Sequence, residues 1–184
     1  MPAIRLAELH PIVVHFPIAL LIVSVACDLG ALLLRRAGLV ATATWCLVLG
    51  VPGAGVALFS GWISEHDIGE ALGGRILELH KVSAVLTTLL FGALLVVRLV
   101  WLLPRILAWT EGALSPVVPA LAGSGARLRA AAPMLYAPPL VGLVAAYMVL
   151  SLAGLILLGL TGYLGGSRVY DHGLGVPAPT PLAP

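Results

Sequence analysis

Four stretches of the chain are almost unbroken apolar runs: Ile12–Leu34, Leu39–Phe59, Leu79–Leu103 and Pro139–Leu164. A helix needs about 20 predominantly apolar residues to cross roughly 30 Å of hydrocarbon, and each run is long enough. The runs are rich in Leu, Val and Ala and lack the apolar–polar alternation of barrel strands. In lipid, every backbone donor and acceptor must find its partner inside the structure, which selects helices. The expected fold is all-α: an integral membrane four-helix up-down bundle over residues 1–176, followed by a Pro-rich exposed tail at 177–184.

Composition supports lipid as the solvent. Of 184 residues, 60% are hydrophobic and 10% charged, against roughly 45–50% and 25% in a soluble domain. A soluble enzyme or soluble nucleic-acid module of this size could not bury that much apolar surface. The net charge is +2 with no dense basic stretch, so no nucleic-acid partner is expected. Cys27 and Cys46 lie inside apolar runs and imply no disulfide framework. The first run is longer than a signal-peptide core and lacks a small-residue cleavage site. Ser24-Val25-Ala26-Cys27 fits a lipoprotein site poorly, so a retained anchor is expected.

Basic residues in short loops set orientation. One face carries Arg35, Arg36, Arg105, Arg127 and Arg129, with Arg98 nearby; the other carries Arg5, Arg75, Lys81 and Arg168 among most of the acidic residues. The arginine-rich face is expected to be cytoplasmic, with both termini on the outer (periplasmic) side of a bacterial inner membrane. Arg35–Gly38 reads as a tight turn. Ser60–Glu78 reads as a middle loop with a short interfacial helix near Ile68–Leu72. Pro104–Pro138 is a longer connection whose Trp101, Trp109 and Tyr136 read as interfacial anchors. No internal repeat is expected from the linear pattern.

The five histidines, His10, His15, His66, His80 and His172, all fall at the same expected face. Shared chemistry is one explanation; the amphipathic imidazole's tolerance of interfaces is the other. Pro11 is expected to open the first helix, leaving His10 just outside it, and Pro17 to kink it near His15. Were both histidines helical, they would stand roughly 140° apart around the axis, more natural for two roles than for one. On the third helix His80, Ala84, Thr87, Phe91 and Arg98 lie within about 40° of one line, a stripe expected to face protein. For Arg98, snorkelling to headgroups is the plainer reading. Asp28 can pair with Arg35 or Arg36, or anchor a neighbouring helix. Glycines 50, 53, 55 and 61 in the second helix, and 154, 159, 162, 165 and 166 in the fourth, read first as close-packing positions and second as clearance for a flat cofactor.

Leu9-His10-Pro11 followed by Val14-His15-Phe16-Pro17-Ile18-Ala19-Leu20 resembles the opening of a bacterial four-helix membrane family, domain of unknown function 2231. The ending Gly162-Tyr163-Leu164-Gly165-Gly166-Ser167-Arg168-Val169-Tyr170-Asp171-His172-Gly173-Leu174-Gly175-Val176 is similar to that family's glycine-rich close, and His80 matches its third-helix histidine. His66 matches no such position and stays outside the candidate site. Relatives occur joined to Rieske iron–sulfur or cytochrome-type modules, which implies association with membrane electron transfer.

Three functions remain open. In the first, an electron-transfer subunit ligates b-type haem through His15 and His80, with His10 and His172 forming a second site or holding propionates. In the second, His10, His15, His80 and His172, with Glu78 or Asp171, bind a divalent transition metal such as zinc, copper, iron or nickel, His15 and His80 being the core pair. In the third, the chain binds no cofactor and is an accessory subunit of a respiratory or photosynthetic complex. No nucleophile–base arrangement points to an enzyme, and the expected partners are the bilayer and other membrane or periplasmic redox subunits.

Overall fold

A computed structural model describes residues 6–68, 74–136 and 139–170. It contains α1 (Leu6–Leu34), α2 (Ala37–Ile68), α3 (Gly74–Leu114), α4 (Ser124–Ala131) and α5 (Val141–Tyr170), with short 3-10 turns at Pro119–Leu121 and Pro133–Tyr136 and no strand among the described residues. Four of these helices, α1, α2, α3 and α5, are long and apolar enough to cross a membrane. The chain is therefore an all-α membrane protein of four spans.

The helices outrun the apolar stretches that announce them. α1 encloses Pro11 and Pro17, so His10 lies inside the helix and not ahead of it. α2 continues to Ile68, which puts the backbone of His66 in a helix instead of a loop. α3 passes straight through Pro104 and runs 41 residues, about 61 Å at 1.5 Å per residue. That is twice the hydrocarbon thickness, so the part beyond Leu103 stands outside the membrane. A proline removes one backbone bond, whereas ending a helix in or near lipid strands several; continuation wins at all of these positions. The α1–α2 turn is as tight as expected, with Arg35 in the left-handed region at φ 54°.

α1 packs chiefly along α2, and α3 along α5; the two pairs meet more sparsely, through α2 on α3 and α1 on α5. α1 and α3 therefore stand diagonally across the bundle. The outer surface is apolar, with Leu33, Ile156 and Tyr163 more than two-thirds exposed, while Ser24, Ser83, Thr87, Ser151, Asp28 and Arg98 are buried with Leu21, Leu47 and Phe91. This inside-out polarity suits lipid, where apolar side chains gain nothing by hiding and interhelical packing and hydrogen bonds hold helices together. Ser24 Oγ donates to the Ala43 carbonyl at 2.9 Å across α1 and α2.

The two pairs repeat one another, contrary to the linear reading. Glu8-Leu9-His10 recurs as Glu78-Leu79-His80; eleven residues on, Leu21 recurs as Phe91, and seven further, Asp28 as Arg98. In the second helix of each pair, Gly50, Gly55, Phe59 and Gly61 recur at the same spacing as Gly154, Gly159, Tyr163 and Gly165. The packing repeats too. A Cβ on Gly50 would meet Leu21 at 3.0 Å, and one on Gly154 would meet Phe91 at 3.0 Å; one on Gly61 would meet His10 at 2.9 Å, and one on Gly165 would meet His80 at 3.1 Å. α1 and α3 run in the same direction, so the two pairs are arranged as parallel repeats, the kind of pseudo-two-fold arrangement found in some transporters.

Candidate functional site

The polar chemistry of the bundle gathers at two levels along the helices. Asp28 and Arg98 occupy equivalent positions on diagonal helices and meet in a buried ion pair. The guanidinium Nη2 donates to the Asp28 carboxylate and, at 2.9 Å, to the Tyr147 hydroxyl of α5, with the guanidinium carbon 4.9 Å from the Tyr147 ring centroid. Trp101 packs on the same tyrosine, centroids 5.2 Å apart. Arg98 thus does not snorkel, and Asp28 pairs across the bundle and not with Arg35 or Arg36. In hydrocarbon, pairing inside the protein answers a charge more completely than a long reach to headgroups. Tyr147 escapes the sequence reading; its only signal there is a hydroxyl within an apolar run.

Eighteen residues separate His10 from Asp28 and His80 from Arg98, about 27 Å of helix. The two histidines therefore share a level at the opposite end of the membrane. Each is half-buried and gripped by the second helix of its own pair. His80 Nδ1 lies 3.0 Å from the Thr161 carbonyl, an acceptor only, so Nδ1 carries the hydrogen. His10 Nδ1 lies 3.0 Å from Ser60 Oγ, a hydroxyl that also reaches the Ala57 carbonyl at 2.9 Å. In the neutral His80 ring the lone pair then sits on Nε2. Such a hydrogen bond from the far ring nitrogen is what orients histidines that ligate metals.

His15 is placed differently. It is exposed on α1, and its Nδ1 donates to the Pro11 carbonyl of its own helix at 2.5 Å. The α3 stripe faces protein as expected: Thr87, Phe91 and Arg98 are buried, and Thr87 Oγ1 lies 3.4 Å from Thr161 Oγ1. His172 and Asp171 lie outside the described residues. Among the described residues no group of three or more His, Cys, Asp or Glu side chains is placed to hold a metal ion. Cys27 and Cys46 are free thiols.

The connection after α3 folds back on that helix. Beyond the membrane, the Glu111 carboxylate accepts from the Gly123 and Gly125 amides at 2.5 and 2.8 Å and from Ser124 Oγ at 3.4 Å, capping the start of α4. These two amides, Gly125 foremost, hold the carboxyl below its usual range, with the Ser124 hydroxyl and the Arg127 charge adding to them. Tyr136 donates to the Gly125 carbonyl at 3.2 Å and stacks under Arg129. Tyr136 and Trp101 thus serve contacts within the protein.

Four spans, a charged axis and paired histidines define a small multi-pass membrane protein built from two similar helix pairs. The family described as Predicted membrane protein (DUF2231) matches residues 7–121, more than half of the chain, and the protein belongs to it. The matched part holds α1, α2 and α3, with His10, His15 and His80. No curated protein matches the chain, and no solved structure does.

Proposed function

We propose that the protein is an electron-transfer subunit of a bacterial inner membrane whose outward end binds one b-type haem between His10 and His80. The observation that carries this reading is the repeat: a histidine recurs in both halves at the same level, each two residues after a glutamate, Glu8 and Glu78. In each half its Nδ1 is hydrogen-bonded to an oxygen of the neighbouring helix, and a glycine lies against its ring. Two equivalent imidazoles on diagonal helices can approach one flat group on the axis from opposite sides, which is the geometry of bis-histidine haem. The pair preferred from sequence, His15 and His80, gives way because His15 lies on the exposed face of α1. Redox subunits at the outer surface are the partners this function requires.

The rings' existing contacts favour a second reading, an accessory subunit in which His10 and His80 only tie helices together. An absorption spectrum of the full chain, expressed with haem supply and purified in mild detergent, separates the two. The haem reading expects a Soret band and sharpened α/β bands on reduction. These should be lost in His10→Ala and His80→Ala and kept in His15→Ala. Colourless, iron-free protein would establish the accessory role instead.

A further inference from the structure

The end of the bundle away from the histidines holds a cavity of about 350 Å³ between the two helix pairs, within the roughly 300–1,000 Å³ range of ligand pockets. Asp28, Leu32 and Val40 wall it from the first pair, and Arg98, Leu102 and Arg105 from α3. The walls are mostly apolar, and they carry two cations with different needs. Arg98 is buried and its charge is matched by Asp28, yet its Nε has no acceptor among the described residues, and both of its side-chain bonds run from Nη2. A buried donor without an acceptor is a costly exception in native proteins. Arg105, two turns along the same face and about 10 Å outward, is exposed and has no carboxylate partner among the described residues.

We propose that this cavity is a binding site for an acidic glycerophospholipid. The phosphate sits at Arg105, where an unmatched positive charge meets the headgroup region. The ester carbonyls lie deeper, toward the guanidinium of Arg98, where neutral acceptors fit and a bare anion would be repelled by Asp28. An acyl chain runs along Leu32 and Leu102. A free anion would leave the apolar walls bare, and a neutral ring with a carbonyl would leave Arg105 unmatched. Because the helix pairs touch each other sparsely, a lipid seated between them ties one pair to the other. This site lies at the opposite end from the histidines, so its test is independent of the haem reading.

The test is thermal unfolding of the delipidated full chain with added phosphatidylglycerol or phosphatidylcholine of matched acyl chains. At about 100 times its dissociation constant the bound lipid should raise Tm by about 5–10 °C, with phosphatidylglycerol well ahead of phosphatidylcholine. Arg105→Gln should erase that difference while leaving the lipid-free Tm near its starting value. Val144→Trp, which fills the cavity from α5, should abolish the response to both lipids. Equal responses to the two lipids, an unchanged preference in Arg105→Gln, or a response surviving Val144→Trp would each overturn the proposal. A larger Tm rise with a short-chain quinone than with phosphatidylglycerol would assign the cavity to a neutral carbonyl ligand instead.

Discussion

Arg98 shows how one side chain settles a conflict between solvation and fold. A guanidinium in hydrocarbon costs several kcal/mol on insertion scales, and this one is held by a carboxylate from α1 and a hydroxyl from α5. Three of the four spans are tied at one point by groups that could not stay charged apart. Glu111 works under the opposite conditions, half-exposed beyond the apolar span and fixed by the Gly123 and Gly125 amides. Its folded value lies below its unfolded one, so its contribution is full above the ordinary carboxylate value of about 4.3. It disappears as pH falls through the lowered folded value. Hydrogen exchange at Gly123 and Gly125 should therefore accelerate below about pH 4 in the wild type, relative to the intrinsic rate. In Glu111→Gln it should already be fast at pH 7. Equal protection in the two proteins at neutral pH would remove the cap from the account. Neither role is legible in sequence alone: Asp28 and Arg98 are seventy residues apart, and nothing local distinguishes a paired arginine from a snorkelling one.

The spans themselves were legible because hydrocarbon leaves so few alternatives; length and apolarity suffice to identify α1, α2, α3 and α5. Their ends were not. Proline signals a stop in water, where a broken helix can turn its backbone to solvent. Pro11 and Pro104 sit where neighbouring backbone bonds are worth keeping, so the helix runs on through both. Glycines were legible as packing positions but not sortable among themselves. Gly50, Gly61, Gly154 and Gly165 each lie against a side chain of the partner helix, whereas Gly55 and Gly159 face open space. Alanine at the first four should cost about 1–3 kcal/mol through overpacking. At Gly55 and Gly159 it should be neutral or stabilising by up to about 1 kcal/mol, the helix-propensity gain. Denaturant titration of the six variants checks the division; a uniform response across them would mean that the two interfaces yield more readily than their spacing implies.

Across the whole molecule, the repeat explains why the chemistry lies where it does. Equivalent positions on α1 and α3 carry identical histidines at one end and opposite charges at the other, as a duplicated pair would if one end kept a shared role and the other became complementary. The repeat stayed hidden in the linear pattern because Leu, Val and Ala fill most spanning positions in both halves and drown the few that match. It becomes visible once His10 with Gly61 and His80 with Gly165 are seen making the same contact. Pseudo-symmetry has an energetic consequence. If Asp28 and Arg98 meet on a two-fold axis, exchanging them should preserve the pair. Asp28→Arg or Arg98→Asp alone places like charges together in a buried site and should cost at least the 3–5 kcal/mol typical of breaking a buried pair. The double exchange, Asp28→Arg with Arg98→Asp, should recover most of that. It should fall short of wild type by about 1.5–3 kcal/mol, the worth of a hydrogen bond to a charged group, because Tyr147 has no counterpart in the first pair, where Ala43 holds the equivalent position. Unfolding free energies of the four proteins form a double-mutant cycle. A double exchange no more stable than the single reversals would mean that the surroundings of the ion pair are not symmetric, and the two-fold relation would then hold only for the glycine frame and the histidines.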